Sequence, residues 1–179
     1  MTAQISDSCV YKNKRYEIIG IEGGEIFSPS LFNMVPQMIH TACRRGHISI
    51  FEFRKDLLYL QQLSIREKEG YYPVISGVKA DITEYLANYE NLNMPLSFTG
   101  KLRFAKDFVK DLYIHMGFQK ASAFKKVFDF TLNKGLITEV LDRSEEAAKI
   151  RGAFKKHYLT DANRFQSIAD AFSLDMEFK

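Results

Sequence analysis

Two of the chain's four histidines, one of its two cysteines and two adjacent arginines fall within eight residues, His40-Thr41-Ala42-Cys43-Arg44-Arg45-Gly46-His47. A thiol becomes a useful nucleophile when a neighbouring cation or base keeps it ionised, and both kinds of neighbour are present. Cys43 with His40, His47 or the distant His115 is therefore a candidate nucleophilic pair, and that reading expects a depressed thiol pKa. A triad would also need an orienting acid, and a strand starting near Cys43 would send alternate side chains to opposite faces. The simpler reading makes the segment a loop closure in which arginine holds a carboxylate or backbone carbonyls, or a surface that binds an anion or a partner. His40, Cys43 and His47 lack the spacing of a structural zinc site. No catalytic residue, metal or cofactor is assigned.

A second candidate is the basic stretch 101–126. Lys101, Arg103, Lys106, Lys110, Lys120, Lys125 and Lys126 stand there against Asp107 and Asp111, interleaved with Phe104, Phe108, Tyr113, Phe118 and Phe124. Cations among aromatics are what single-stranded nucleic-acid binders use, charge following phosphates and rings stacking on bases. A strand with lysines on its wet face and phenylalanines in the core produces the same string without any ligand. The asymmetry extends further, with 10 basic and 11 acidic residues in 1–90 and 15 and 11 in 91–179.

Elements that could position these groups follow from periodicity. Val10 to Ile21, with a Lys12-Asn13-Lys14 turn, reads as a hairpin ending at Gly23-Gly24. Residues 25–46 lose periodicity and form a long loop, a class that is often functional. His47 to Ile65 is a second hairpin around Arg54-Lys55-Asp56. A strand interrupted by Pro73 and Gly77 is expected over 72–78, a short helix or turn over 82–89, and strands over 96–104 and 112–116. Phe124 to Val140 is a third hairpin around Asn133-Lys134-Gly135.

At Ser144, a candidate N-cap followed by Glu145 and Glu146, the pattern turns helical. Ile150, Phe154 and Tyr158 mark one helix, and a second is expected from Thr160 or Asp161 with Phe165, Ile168, Ala169 and Phe172. The expected fold class is α+β, a mainly antiparallel sheet with a curved or barrel-like form among its options, followed by a C-terminal helical pair. One domain spans 1–179, with a strand-rich body at 1–143 and a helical extension at 144–179.

Fifteen Phe and nine Tyr suit such a sheet. No P-loop, dinucleotide-binding, zinc-protease, Cys-x-x-Cys or Gly-x-Ser-x-Gly motif occurs, which lowers the odds of an ordinary enzyme. The start of the chain lacks the basic and apolar runs of a signal peptide, and no apolar stretch approaches membrane-spanning length. A cytoplasmic protein without membrane association is expected.

Thr41-Ala42-Cys43-Arg44-Arg45-Gly46, Phe98-Thr99-Gly100 and Leu112-Tyr113-Ile114-His115-Met116-Gly117-Phe118 together resemble a family of small uncharacterised bacterial proteins, in which an aromatic residue is common at the position of Arg44. The resemblance covers residues 8–140, implies a bacterial or mobile-element origin and carries no activity with it. The reading preferred on all these grounds is a non-enzymatic module that binds another protein, in an immunity, antitoxin-like or defence-accessory role. Its expected contact residues are Phe32, Met34, Met38, His40, Arg44, Arg45 and His47, since aromatic, Met and Arg side chains are enriched at interface hot spots. Nucleic-acid binding through 101–126 is the first alternative and a Cys43 enzyme the second.

Overall fold

The structure, a computed structural model, describes residues 2–157 together with Leu174 and Met176. Ser8–Tyr11 (β1) and Lys14–Glu22 (β2) form the first hairpin, His47–Arg54 (β3) and Leu57–Ile65 (β4) the second. Asp81–Ile82 (β5), Ala87–Tyr89 (β6), Met94–Pro95 (β7) and Gly100–Phe108 (β8) follow, and Phe124–Asn133 (β9) and Leu136–Asp142 (β10) make the third long hairpin. All three long hairpins turn on two residues with positive φ: Lys12-Asn13, Lys55-Asp56 and Lys134-Gly135. That is the backbone twist a two-residue hairpin turn needs.

Neighbouring strands run in the order β10-β9-β8-β2-β1-β3-β4-β6-β5, with β7 also on β4. The sheet then returns on itself. Leu136 pairs with Leu57, the Leu58 N–H donates to the Gly135 carbonyl at 2.9 Å, and the Ile137 N–H donates to the Asp56 carbonyl at 2.9 Å. Seven strands thus form a closed circuit, which removes the unpaired edges an open sheet would expose.

Bulges reconcile the hydrophobic pattern with this closure. Leu58 and Leu60 face the interior, a register shift follows near Gln61 and Gln62, and Leu63 and Ile65 then face the interior as well. A second shift sits at Ile19: Tyr16 and Ile18 point inward before it, Ile19 packs in the outer cluster, and Ile21 beyond it packs against the core again. An inserted residue flips the alternation, so apolar residues at both parities serve one core. Inside, Phe53, Phe104 and Phe130 pack at centroid distances of 4.6 to 6.1 Å.

The expected α+β fold with a C-terminal helical pair is corrected by this arrangement. The described chain is mostly strand, and its sheet is mixed because β1 and β3 run parallel. Ser144–His157 (α1) is the one helix of seven or more residues among those described, and the expected second helix from Thr160 or Asp161 lies outside them. Three local expectations also change. Residues 82–89 belong to the small β5–β6 hairpin. The 72–78 segment is a tight loop, where Ser76 and Gly77 have positive φ and the backbones of Ile75 and Val78 bond to each other. Leu112 to Met116 follows a single 3-10 turn at Lys110–Leu112.

Helix α1 covers the outside of the barrel. Ala147 is fully buried with Ile19, Ala105, Ala123, Phe124 and Val127 in a second apolar cluster. The Arg151 guanidinium donates to the carbonyls of Ser122 and Phe124, at 3.0 and 2.7 Å. Ser144 is the first helical residue: its N–H bonds the Asp142 carboxylate and its hydroxyl turns to the β9 backbone at Val127. Among the described residues no helix is long and apolar enough to cross a membrane.

Candidate functional site

The 25–47 loop is held at both flanks. A 3-10 turn at Pro29–Phe32 leads through Asn33, whose φ is 56°, to Met34, which is buried in the core; Phe32 is partly buried against Phe27. The loop then runs beside residues 66–68. The Gln37 N–H donates to the Arg66 carbonyl at 2.7 Å, and the Lys68 N–H to the Val35 carbonyl at 2.9 Å. Gly46, at φ 81°, lies so close to this segment that a Cβ there would meet Gln37 backbone atoms at 2.5 to 2.7 Å.

Glu67 organises the junction. Its carboxylate accepts the backbone N–H groups of Val35, Glu69 and Tyr71 at 2.7 to 3.0 Å. Burial pushes this carboxyl up, but the N–H groups outweigh burial and hold it below its ordinary range.

On this base stands an apolar face. Leu31, Val35 and Met38 project from the loop, Tyr71 and Val74 from the segment after Glu67, and Ile82 and Tyr85 from the β5–β6 hairpin. A cleft of about 340 Å³ lined by Gln37, Arg66, Glu67, Tyr72, Ile82 and Tyr85 joins the three segments. Of the residues expected to contact a partner, Met38 and the nearby His40 and Arg44 are exposed. Met34 has no surface to offer.

Arg45 and His47 serve the interior. Arg45 makes a two-pronged ion pair with Asp7, at 2.6 and 2.8 Å, and donates from Nε to the His47 carbonyl at 2.8 Å. Asp7 also accepts the Ser49 N–H at 2.6 Å. Burial raises the Asp7 carboxyl, while Arg45 and the Ser49 N–H pull it down. The His47 Nδ1 and the Ser49 hydroxyl are buried without a hydrogen-bond partner among the described residues.

Burial and the charge of Arg45 lower the His47 imidazole from 6.5 to about 4. His47 is thus neutral in the folded chain, whereas the unfolded chain takes up its proton as pH falls below about 6.5. Stability is full above that value and is lost through the window down to pH 4, by about 3 kcal/mol at most. Chemical denaturation of wild type and His47→Gln at pH 7 and pH 4 checks this. The wild type should lose more stability than the variant over that interval, and an equal loss would contradict it.

The thiol does not meet an imidazole. Cys43 is buried, its Sγ lies 3.4 Å from the His47 carbonyl, and burial raises its pKa with only partial compensation from Arg45. His40 is exposed and accepts the Ala42 N–H at Nδ1, while His115 packs against Tyr113. Among the described residues no group of three or more potential metal ligands forms.

The seven cations of 101–126 do not line one track. Arg103 is only 4% exposed and forms a two-pronged pair with Asp129 at 2.7 and 2.8 Å. Lys101 pairs with Glu22 and Lys106 with Asp107. Lys125 and Lys126 are successive strand residues and so point to opposite faces. Lys110 and Lys120 sit at separate 3-10 turns.

Sequence reasoning missed Asp7, Glu67 and the Tyr71–Tyr85 part of the apolar face. Isolated acids carry no spacing signal, and the face is assembled from the separate segments 31–38 and 71–85. No family model matches this chain, and no curated protein or solved structure does.

Proposed function

We propose that the chain is a binding module that docks on another protein through the face of Leu31, Val35, Met38, Tyr71, Ile82 and Tyr85. One observation carries this reading: seven of the twelve exposed large apolar side chains among the described residues lie in the two stretches 31–38 and 71–85. The 340 Å³ cleft and the bonds to Glu67 join those stretches. Scattered apolar residues are normal on a surface, but a concentration rimmed by polar groups marks an interaction site. Arg66, Glu84 and Lys68 supply that rim. Aromatic and Met side chains at its centre are those that bury well against a partner's apolar surface.

A photo-reactive amino acid placed at position 35, position 85 or, as a control, position 149 on α1 tests the proposal in the native host. One protein should cross-link from 35 and 85 and not from 149. It should withstand nuclease and fall by at least about tenfold when Val35→Glu and Tyr85→Glu are combined, a loss of about 1.4 kcal/mol or more in binding. Cross-links to nucleic acid, or a pattern indifferent to position, would overturn the reading.

A further inference from the structure

A second concavity lies on the outer surface of the barrel, apart from the apolar face. It has a volume of about 780 Å³, within the range of ligand sites. Its floor is the start of β1 with β2 and β8, where Ser8, Arg15, Glu17 and Ala105 line it. One wall is the strap Thr2–Ser6, and the other is built by Phe108, Tyr113 and Gln119.

Three distant parts of the sequence hold this shape. The Gln4 N–H donates to the Gly117 carbonyl at 2.7 Å, and the Ile5 N–H to the Ala42 carbonyl at 2.8 Å. The Gln4 side chain donates to the Thr41 carbonyl at 2.9 Å and accepts the Arg44 N–H at 3.3 Å. The strap therefore ties the 41–46 segment to the 112–118 segment.

The charges on the floor choose among ligands. Arg15 donates from Nε to the Ser8 hydroxyl at 2.9 Å, which orients the guanidinium, and no other hydrogen bond of Arg15 occurs among the described residues. Glu17, two residues along the same strand face, has no hydrogen bond or ion pair among them. Burial nonetheless raises its carboxyl from the ordinary value, with Arg15 pulling the other way. Lys106 and Asp107 largely answer each other at 3.7 Å.

One cation and one anion thus face the groove about 7 Å apart along the strand. A polyanion would meet Glu17 and Asp107, and a polycation would meet Arg15 and Lys106. A ligand carrying both charges a few ångströms apart satisfies both groups. Tyr113, 46% exposed and edge-on to Phe108, offers an aromatic wall for an apolar side chain.

We infer that the groove between the Thr2–Ser6 strap, the Arg15/Glu17 face and Tyr113 binds a small zwitterion with an apolar side chain, its carboxylate on Arg15 and its ammonium on Glu17. A free amino acid and a short peptide with free ends share this chemistry. The inference stands independently of the docking face.

Titration calorimetry on the full chain separates the cases. The probes are L-phenylalanine, the peptide Ala-Phe, and Ala-Phe with its amino end acetylated or its carboxyl end amidated. Saturable binding of phenylalanine identifies the amino acid as sufficient, and binding of Ala-Phe alone identifies a peptide. In either case capping one end should weaken binding by at least about tenfold, as should Arg15→Ala or Glu17→Ala. Both variants alter exposed strand positions, and their unfolding midpoints should match wild type. Binding that is indifferent to capping, or no saturable heat with any probe at millimolar concentration, would overturn the inference.

Discussion

Asp129→Ala is expected to lower stability by about 3 to 5 kcal/mol, because breaking a buried ion pair by removing one partner strands the other. Asp129 is buried on β9 and serves two guanidinium groups. Arg103 bonds both of its oxygens, and the Arg143 Nε lies 3.2 Å from Oδ2. Arg143 also reaches Glu146 on α1 at 2.9 Å, so the cluster couples the barrel wall to the helix. Urea denaturation measures the loss. The companion variant Arg103→Met/Asp129→Leu should recover most of it, since apolar residues of similar volume replace a buried pair at little net change. A loss below about 1 kcal/mol for Asp129→Ala would show that water reaches and screens the cluster. The same pair accounts for the one arginine of the lysine-rich stretch 101–126, which serves the fold.

The second large effect is expected at Asp7. Asp7→Ala removes the acceptor of two Arg45 bonds and of the Ser49 N–H, and about 3 kcal/mol should be lost. A thiol readout distinguishes local from global damage. Asp7 holds the 40–47 segment against the start of β1, so its loss should open that segment and speed alkylation of Cys43 relative to wild type under native conditions. Cys9 lies deeper, between β2 and β3, and should stay protected. Equal alkylation of Cys43 in wild type and variant would contradict the role given to this ion pair. Fast alkylation in the wild type itself would favour a reactive thiol over a buried one.

Much of the strand architecture could be read from local pattern. Alternation over 47–65 and 124–140, with polar or Gly turns between, marks hairpins wherever it occurs, because a strand half buried on one face must alternate. Local pattern was weaker where an element is short or a partner is remote. Residues 81–89 make only five strand residues in two pieces, and the pairing of β6 with β4 ties them to the sheet. The 72–78 segment has strand-like composition, yet Ser76 and Gly77 turn it before it can pair.

Local sequence sets the residue types available: aromatic strands, three tight turns, an acidic helix start at 144–146, and none of the familiar catalytic motifs. Which of those residues are exposed and which are buried depends on long-range packing. The sequence offered Arg45 either as a partner contact or as the holder of a carboxylate, and only the fold names Asp7, 38 positions earlier, as its carboxylate; Met34, expected as a contact residue, is buried in the core. Closure of β10 on β4, the parallel match of β1 with β3, and the meeting of 31–38 with 71–85 all join residues far apart in the chain. Long-range pairing depends on the whole set of contacts forming together, and no window of the sequence carries that information.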